Sequence, residues 1–150
     1  MKRVVITGIG MVSSLGVGKD VIWPKVKEGI SGIDFLKRVD SSDLKTKFGG
    51  EISTDFNAED FIDAKEARRS DVFIRYAAAA AVLALKDSGL KVTPDNEHLI
   101  GSYIGSGIGG IQTFVDNVIA YREKGPSRVS PFFVPSMVPN MAAGYVSIFN

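Results

Sequence analysis

Three glycines in "LIGSYIGSGIGGIQTF" (residues 99–114), Gly105, Gly107 and Gly110, spell G-x-G-x-x-G behind an apolar run. In a strand-to-helix turn, that spacing lets backbone amides approach the pyrophosphate of a dinucleotide. Such a site also needs an acidic residue about 20 positions further on, at the end of the next strand, to bind the ribose. Here that position falls at Ser130 and Pro131, in a proline-rich segment without an acid. Asp116 and Glu123 fall inside the next predicted helix. Two other readings of the glycines stand beside nucleotide binding. One is a tight turn that needs positive φ or close packing, and the other is bare backbone that leaves room for a ligand.

The first apolar run, "VVITGIGMVSSLGVG", raises a second nucleotide question, because short-chain dehydrogenases carry T-G-x-x-x-G-x-G at such a turn. Gly16 and Gly18 stand too far from Thr7 and Gly8 to fit that pattern. None of the four tyrosines has a lysine four residues on, as those enzymes require. The chain has no cysteine, which excludes a Cys nucleophile, disulfides and Cys-ligated metals within these residues. Its single histidine, His98, excludes a multi-His metal site and reads as a loop or strand-end residue. In "KEARR", Lys65 and Arg69 fall four residues apart on a helical turn with Arg68 beside them. That is either a solvated face or a docking patch for an acidic partner. The apolar residues of "FFVPSMVP", Phe132 to Pro139, read as core, as a proline-stiffened ligand wall, or as a subunit interface.

These residues need a frame. Residues 3–10 and 98–107 have the composition of buried strands. A helix is predicted from about Lys19 to Glu28, with Ile22, Val26 and Ile30 on one face, Pro24 in its first turn, and Gly29 and Gly32 ending it. "KFGGEI" (residues 47–52) reads as a short strand, and residues 55–71 as short helical turns at the surface. Ser70 is the predicted cap of a strong helix running to about Asp87 and closed by Gly89. Its run of Ala77 to Ala81 marks a buried helix packed closely on a sheet. A further helix is predicted from Ile111 to about Arg122, broken by Gly125 and Pro126. Residues 130–140 carry three prolines and read as irregular, and a last apolar helix starts near Met141. Alternating strands and helices imply a layered α/β fold.

Composition fits one soluble globular domain: 150 residues, 45% hydrophobic and 23% charged. The net charge of +1 gives no global attraction to nucleic acid or an anionic membrane. The longest apolar run, "YAAAAAVLAL", falls far short of the ~20 residues that span a bilayer. No leader peptide is read before the first strand, so the expected location is cytoplasmic.

Four stretches in this order and spacing resemble one family: "VVITGIGMVSSLG", "KEARRSDVFIRYAAAAAVLALKDSGL", "IGSGIGG" and "SPFFVPSMVPNMAAGYVSI". They resemble the β-ketoacyl-[acyl-carrier-protein] synthases, and among these the elongating synthase II type of bacterial fatty-acid synthesis. The resemblance runs from Arg3 to the last residue. It implies a thiolase-like fold, in which each half of the protein is a mixed five-stranded sheet layered with helices. Residues 1–150 then form the N-terminal part of the first half. It implies decarboxylative Claisen condensation with malonyl-acyl-carrier protein, by a Cys nucleophile and two histidines, with no metal or redox cofactor. It places Gly107 and Ile108 beside the acyl pocket, where the glycine leaves room and Ile108 limits depth, and Phe133, Val134 and Met137 at a homodimer interface, where they line the acyl pocket of the partner subunit. Lys65, Arg68, Arg69 and Arg128 become the docking site for acyl carrier protein.

The chain departs from the family pattern. It holds neither the Cys nor a histidine that matches a catalytic one, so these 150 residues alone are expected to be inactive and to be an N-terminal fragment. Smaller departures are Ser14 where proline is common, Tyr145 where histidine is common, and Ser127 where a base is common. Two alternatives remain: a non-catalytic, synthase-like partner subunit that sets chain length, and a Rossmann-type NAD(P)-binding oxidoreductase.

Overall fold

The computed structural model describes residues 3–149. Six α-helices order them: α1 (Lys19–Lys27), α2 (Ala64–Arg69), α3 (Val72–Ser88), α4 (Ile111–Lys124), α5 (Phe133–Met137) and α6 (Met141–Phe149). Strands are short. β1 (Val12–Ser13) pairs antiparallel with β2 (Gly16–Val17), and β3 (Asp34–Phe35) pairs antiparallel with β4 (Phe48–Gly49).

The long helices form where local signals are strongest. α3 carries the alanine run, and Gly89 at φ 67° closes it in the left-handed conformation that favours glycine. Its cap is Asp71, not the expected Ser70: an Asp71 carboxylate oxygen accepts from the Phe73 amide at 3.3 Å. Ser70 instead ends α2, with its hydroxyl donating to the Glu66 carbonyl at 2.8 Å. Both residue types suit a helix start, and the chain turns one residue later than the alanine pattern suggested. Helix α1 matches its expected span, but Pro24 is its sixth residue and lies beyond the first turn. The Asp20 carbonyl therefore forgoes an amide donor. Of the apolar face expected there, Ile22 is buried while Val26 and Ile30 are exposed. Residues 130–140 are more regular than expected, because Pro135 falls in the first turn of α5, where its missing amide costs nothing.

The two buried strands expected at residues 3–10 and 98–107 are not realised as ladders. A strand is stable only when its amides and carbonyls meet a neighbouring strand. Among the described residues neither segment has one. Val4, Ile6 and Tyr103 are instead fully or almost fully exposed. The second segment begins with a 3-10 turn at Glu97–Leu99 that contains His98. From Ile100 to Ser106 burial still alternates residue by residue, the period of a half-buried strand.

The alanine-rich helix packs chiefly against α6 and not on a sheet. Ile74, Ala79 and Ala142 are fully enclosed at that contact. The first segment crosses α3 so closely that a Cβ on Gly10 would fall on the Ala80 carbonyl oxygen. It is pinned there by Asp87, which accepts from the Ile9 amide at 3.0 Å and pairs with Lys19. The Lys19 hydrogen bond, with the Ile9 amide second, holds the Asp87 carboxyl below its ordinary pKa.

Asp71 is buried and serves two helices. One carboxylate oxygen caps α3, and the other accepts from the Thr113 amide in the first turn of α4 at 2.8 Å. Replacing Asp71 by alanine should therefore remove two caps, at about 1 kcal/mol each. Asparagine, with a single acceptor oxygen, should lose about half as much. Thermal melts followed by far-UV circular dichroism measure both; an asparagine variant as stable as the parent would contradict the double role.

Candidate functional site

Four helix ends meet around Asp71. The Ser136 hydroxyl of α5, itself buried, donates to the Arg69 carbonyl at the end of α2 at 2.6 Å. The Gly110 amide at the start of α4 donates to the Met137 carbonyl at 2.8 Å. Gly110 has no room for a side chain, since a Cβ would land on the Ser136 carbonyl oxygen and come 3.1 Å from the Asp71 carboxylate. Its neighbour Gly109 adopts φ 78° and donates its amide to the Ser106 hydroxyl at 3.0 Å.

This geometry answers the nucleotide question. The amides that would hold a phosphate at the start of α4 are committed to groups of the chain itself. Thr113 gives its amide to Asp71, and Gly110 gives its amide to Met137. A buried carboxylate already sits at the positive end of the helix. Of the G-x-G-x-x-G glycines, Gly110 alone is tightly enclosed, while Gly105 and Gly107 face open space. The residue with the turn's positive φ, Gly109, lies outside that pattern.

Beside the α4 start lies an open apolar groove of about 310 Å³, bordered by Ile108, Ile111, Phe114, Met137, Val138 and Pro139, with Ile108 itself mostly exposed. Two of the five expected acyl-pocket residues, Ile108 and Met137, meet there. Phe133 adjoins its wall, with its ring centroid 6.1 Å from that of Phe114. Gly107 and Val134 lie outside the lining, and Val134 is largely exposed.

The basic residues sit on two elements. Lys65, Arg68 and Arg69 share α2, which Asp63 caps by accepting from the Lys65 amide at 2.8 Å. Arg128 lies in a separate 3-10 turn, Pro126–Arg128, packed against α4. Lys65 and Arg128 are exposed and make no ion pair among the described residues. Arg68 reaches Glu59 only at 3.9 Å, with its side chain mostly in solvent. Exposed pairs of that kind hold an arginine weakly. Arg69 lies 3.9 Å from Glu66, and its guanidinium stacks 4.6 Å over the ring of Phe132. Behind α2, burial pushes the Tyr145 phenol above its ordinary pKa, with Glu66 adding to the shift and Arg69 opposing it.

Sequence reasoning missed Asp71, Phe132 and Ser136 as organisers of this region. Asp71 had a readable signal, a second cap-forming residue directly before an apolar helix. The partners of Phe132 and Ser136 are more than 60 positions away, and nothing local announces them.

Comparison with known proteins places this arrangement. The beta-ketoacyl synthase N-terminal domain family matches residues 1–150. The 3-oxoacyl-[acyl-carrier-protein] synthase 2 of Staphylococcus aureus (strain COL) is 47% identical over 147 residues, 98% of this chain and 35% of the relative. The Vibrio harveyi protein of the same name is 44% identical over 147 residues, again 98% of this chain and 35% of its own length. The chain thus spans about a third of these curated relatives. Among solved structures, a type II PKS acyl-carrier protein in complex with its ketosynthase matches with a TM-score of 0.79 at 27% identity, over 99% of this chain and 38% of that one. A beta-ketoacyl synthase from Burkholderia phymatum STM815 matches with a TM-score of 0.77 at 27% identity, over 99% and 37%. The short ladders and layered helices are therefore the N-terminal portion of a thiolase-like fold, and the chain belongs to the beta-ketoacyl synthase family.

Proposed function

We propose that this chain is the N-terminal segment of a synthase that elongates fatty acids, and that it supplies the docking face and part of the acyl pocket. The observation that carries this reading is similarity along nearly the whole chain to proteins named 3-oxoacyl-[acyl-carrier-protein] synthase 2. In the reaction implied, an acyl group passes from its carrier thioester to a Cys thiolate and frees the carrier thiol. Malonyl-carrier protein loses CO₂, and the resulting carbanion attacks the acyl thioester and expels the Cys thiolate. With no Cys among its 150 residues, this segment leaves that nucleophile to the rest of a full-length polypeptide. Assay of that polypeptide with acyl- and malonyl-carrier protein tests the reading. Chain growth with CO₂ release supports it, and absence of condensation supports a non-catalytic chain-length subunit.

The acyl chain is taken by the groove at Ile108 and Met137, with Gly107 leaving its approach open. Phe133 and Val134 extend the apolar surface to a second copy of the protein, which makes a homodimer the expected assembly. Lys65, Arg68, Arg69 and Arg128 receive the acidic acyl carrier protein, a partner named in the ketosynthase complex that this chain resembles. Lys65 and Arg128 are free of ion pairs among the described residues and Arg68 is only loosely paired, so little must be broken when acidic groups arrive. No described helix is long and apolar enough to cross a membrane, which accords with a cytoplasmic setting.

Two expected outcomes follow from these assignments. In the full-length protein, Ile108→Phe should fill groove volume and lower kcat/KM for the longest accepted acyl chain by about tenfold, sparing short chains; product analysis across chain lengths would show it, and a uniform profile would refute it. Reversing Arg68 and Arg69 to glutamate should raise KM for carrier-linked substrates about tenfold while leaving small thioesters almost unaffected. Equal effects on both substrate classes would return the patch to an ordinary solvated face.

A further inference from the structure

Arg68 and Arg69 are neighbours on α2, yet their surroundings differ. Among the described residues the one ion pair of Arg68 is with Glu59 at 3.9 Å, and its side chain is 69% exposed. Arg69 is held twice by one short segment of chain. Its guanidinium lies over the Phe132 ring, and its carbonyl accepts the Ser136 hydroxyl. That segment also carries Phe133 and Met137, and Met137 fixes the start of α4 through the Gly110 amide. Side chain and backbone of one docking cation are thus tied to the wall of the apolar groove.

A guanidinium held over a ring can still donate from its N–H edges to a carboxylate. The one ion pair of Arg69 among the described residues is with Glu66, at 3.9 Å, a loose pair that an arriving carboxylate can displace. Phe132 also replaces part of the side-chain freedom that Arg69 would otherwise lose when a partner binds. Lysine has no flat face to seat in this way.

We propose that Phe132 is a positioning residue for carrier recognition: its ring presents the Arg69 guanidinium to an acidic helix or loop of the carrier, while Ser136 anchors the Arg69 backbone to the acyl-groove wall. This rests on the docking reading given above. Phe132 acts only through Arg69, so its contribution vanishes when Arg69 is gone.

The test uses the full-length synthase and compares acyl-carrier protein with a small acyl thioester as substrate. Phe132→Leu should raise KM for the carrier substrate about two- to fivefold, with kcat and the small-thioester KM unchanged. Phe132→Tyr, which keeps the ring face, should restore the parent value. In an Arg69→Ala background, Phe132→Leu should add nothing. An unchanged small-thioester KM also shows that the variant is folded. If Phe132→Leu weakens both substrates alike, or still acts in the Arg69→Ala background, the ring is merely structural and the inference is overturned. If Arg69→Ala raises the carrier KM but Phe132→Leu does not, the inference falls and the docking face stands. If Arg69→Ala itself leaves the carrier KM unchanged, Arg69 takes no part in docking and this inference is overturned, while the reversal of Arg68 and Arg69 separately decides the docking reading.

Discussion

A single buried carboxylate, that of Asp71, closes the N-termini of α3 and α4 together. Each helix start leaves amides without intrahelical partners, and burial makes them costly. Sharing one acid between two starts fixes the helices against each other, because neither can move without orphaning an amide. The Ser136 and Gly110 hydrogen bonds then add α2 and α5 to the same junction. Gly110 is the steric counterpart of that arrangement, since a side chain there would have to occupy the space of the α5 backbone.

Function in this region depends on what the junction brings together. The basic helix α2 lies on one side, and the apolar groove beside Ile108 and Met137 lies on the other. The Ser136 hydroxyl links the Arg69 carbonyl of α2 to α5, whose Met137 lines the apolar surface. On the proposed docking reading, a carrier protein on α2 would deliver its acyl chain next to a surface whose position the same groups determine. The glycine pattern that resembles a phosphate loop belongs to this economy of space. Its last member permits close backbone packing, and the helix dipole it introduces is neutralised by an internal acid.

The helices were legible because their signals are local. The alanine run, the glycine stop at Gly89 and the Gly125–Pro126 break lie within a few residues of the effects they cause. The cap of α3 was displaced by one residue, since Ser70 and Asp71 are chemically equivalent candidates and only their distant partners distinguish them. Proline position mattered more than proline number: Pro135 sits in a first turn and permits α5, whereas Pro24 sits deeper in α1 and costs a hydrogen bond. Composition at residues 3–10 and 98–107 pointed to buried strands that the structure does not form, although the second segment keeps a strand's alternation of burial. Ladders are non-local, and no neighbour for either segment lies among the described residues. For the site, the spacing of Lys65 and Arg68 matched a helical turn that the structure forms, and Ile108 and Met137 come to border one apolar surface. The stack of Arg69 on Phe132 was not legible, because 63 positions separate them.

The helix ends around Asp71 should open as one cooperative unit, because they share their hydrogen bonds. Native-state hydrogen exchange of the Phe73, Gly110 and Thr113 amides in the full-length protein, followed against denaturant, tests it most directly. Phe73 lies in α3, whereas Gly110 and Thr113 lie at the start of α4, and all three share one junction. The account predicts that their opening free energies converge on a common line as denaturant rises. Separate lines, with Thr113 opening independently of Phe73, would contradict it.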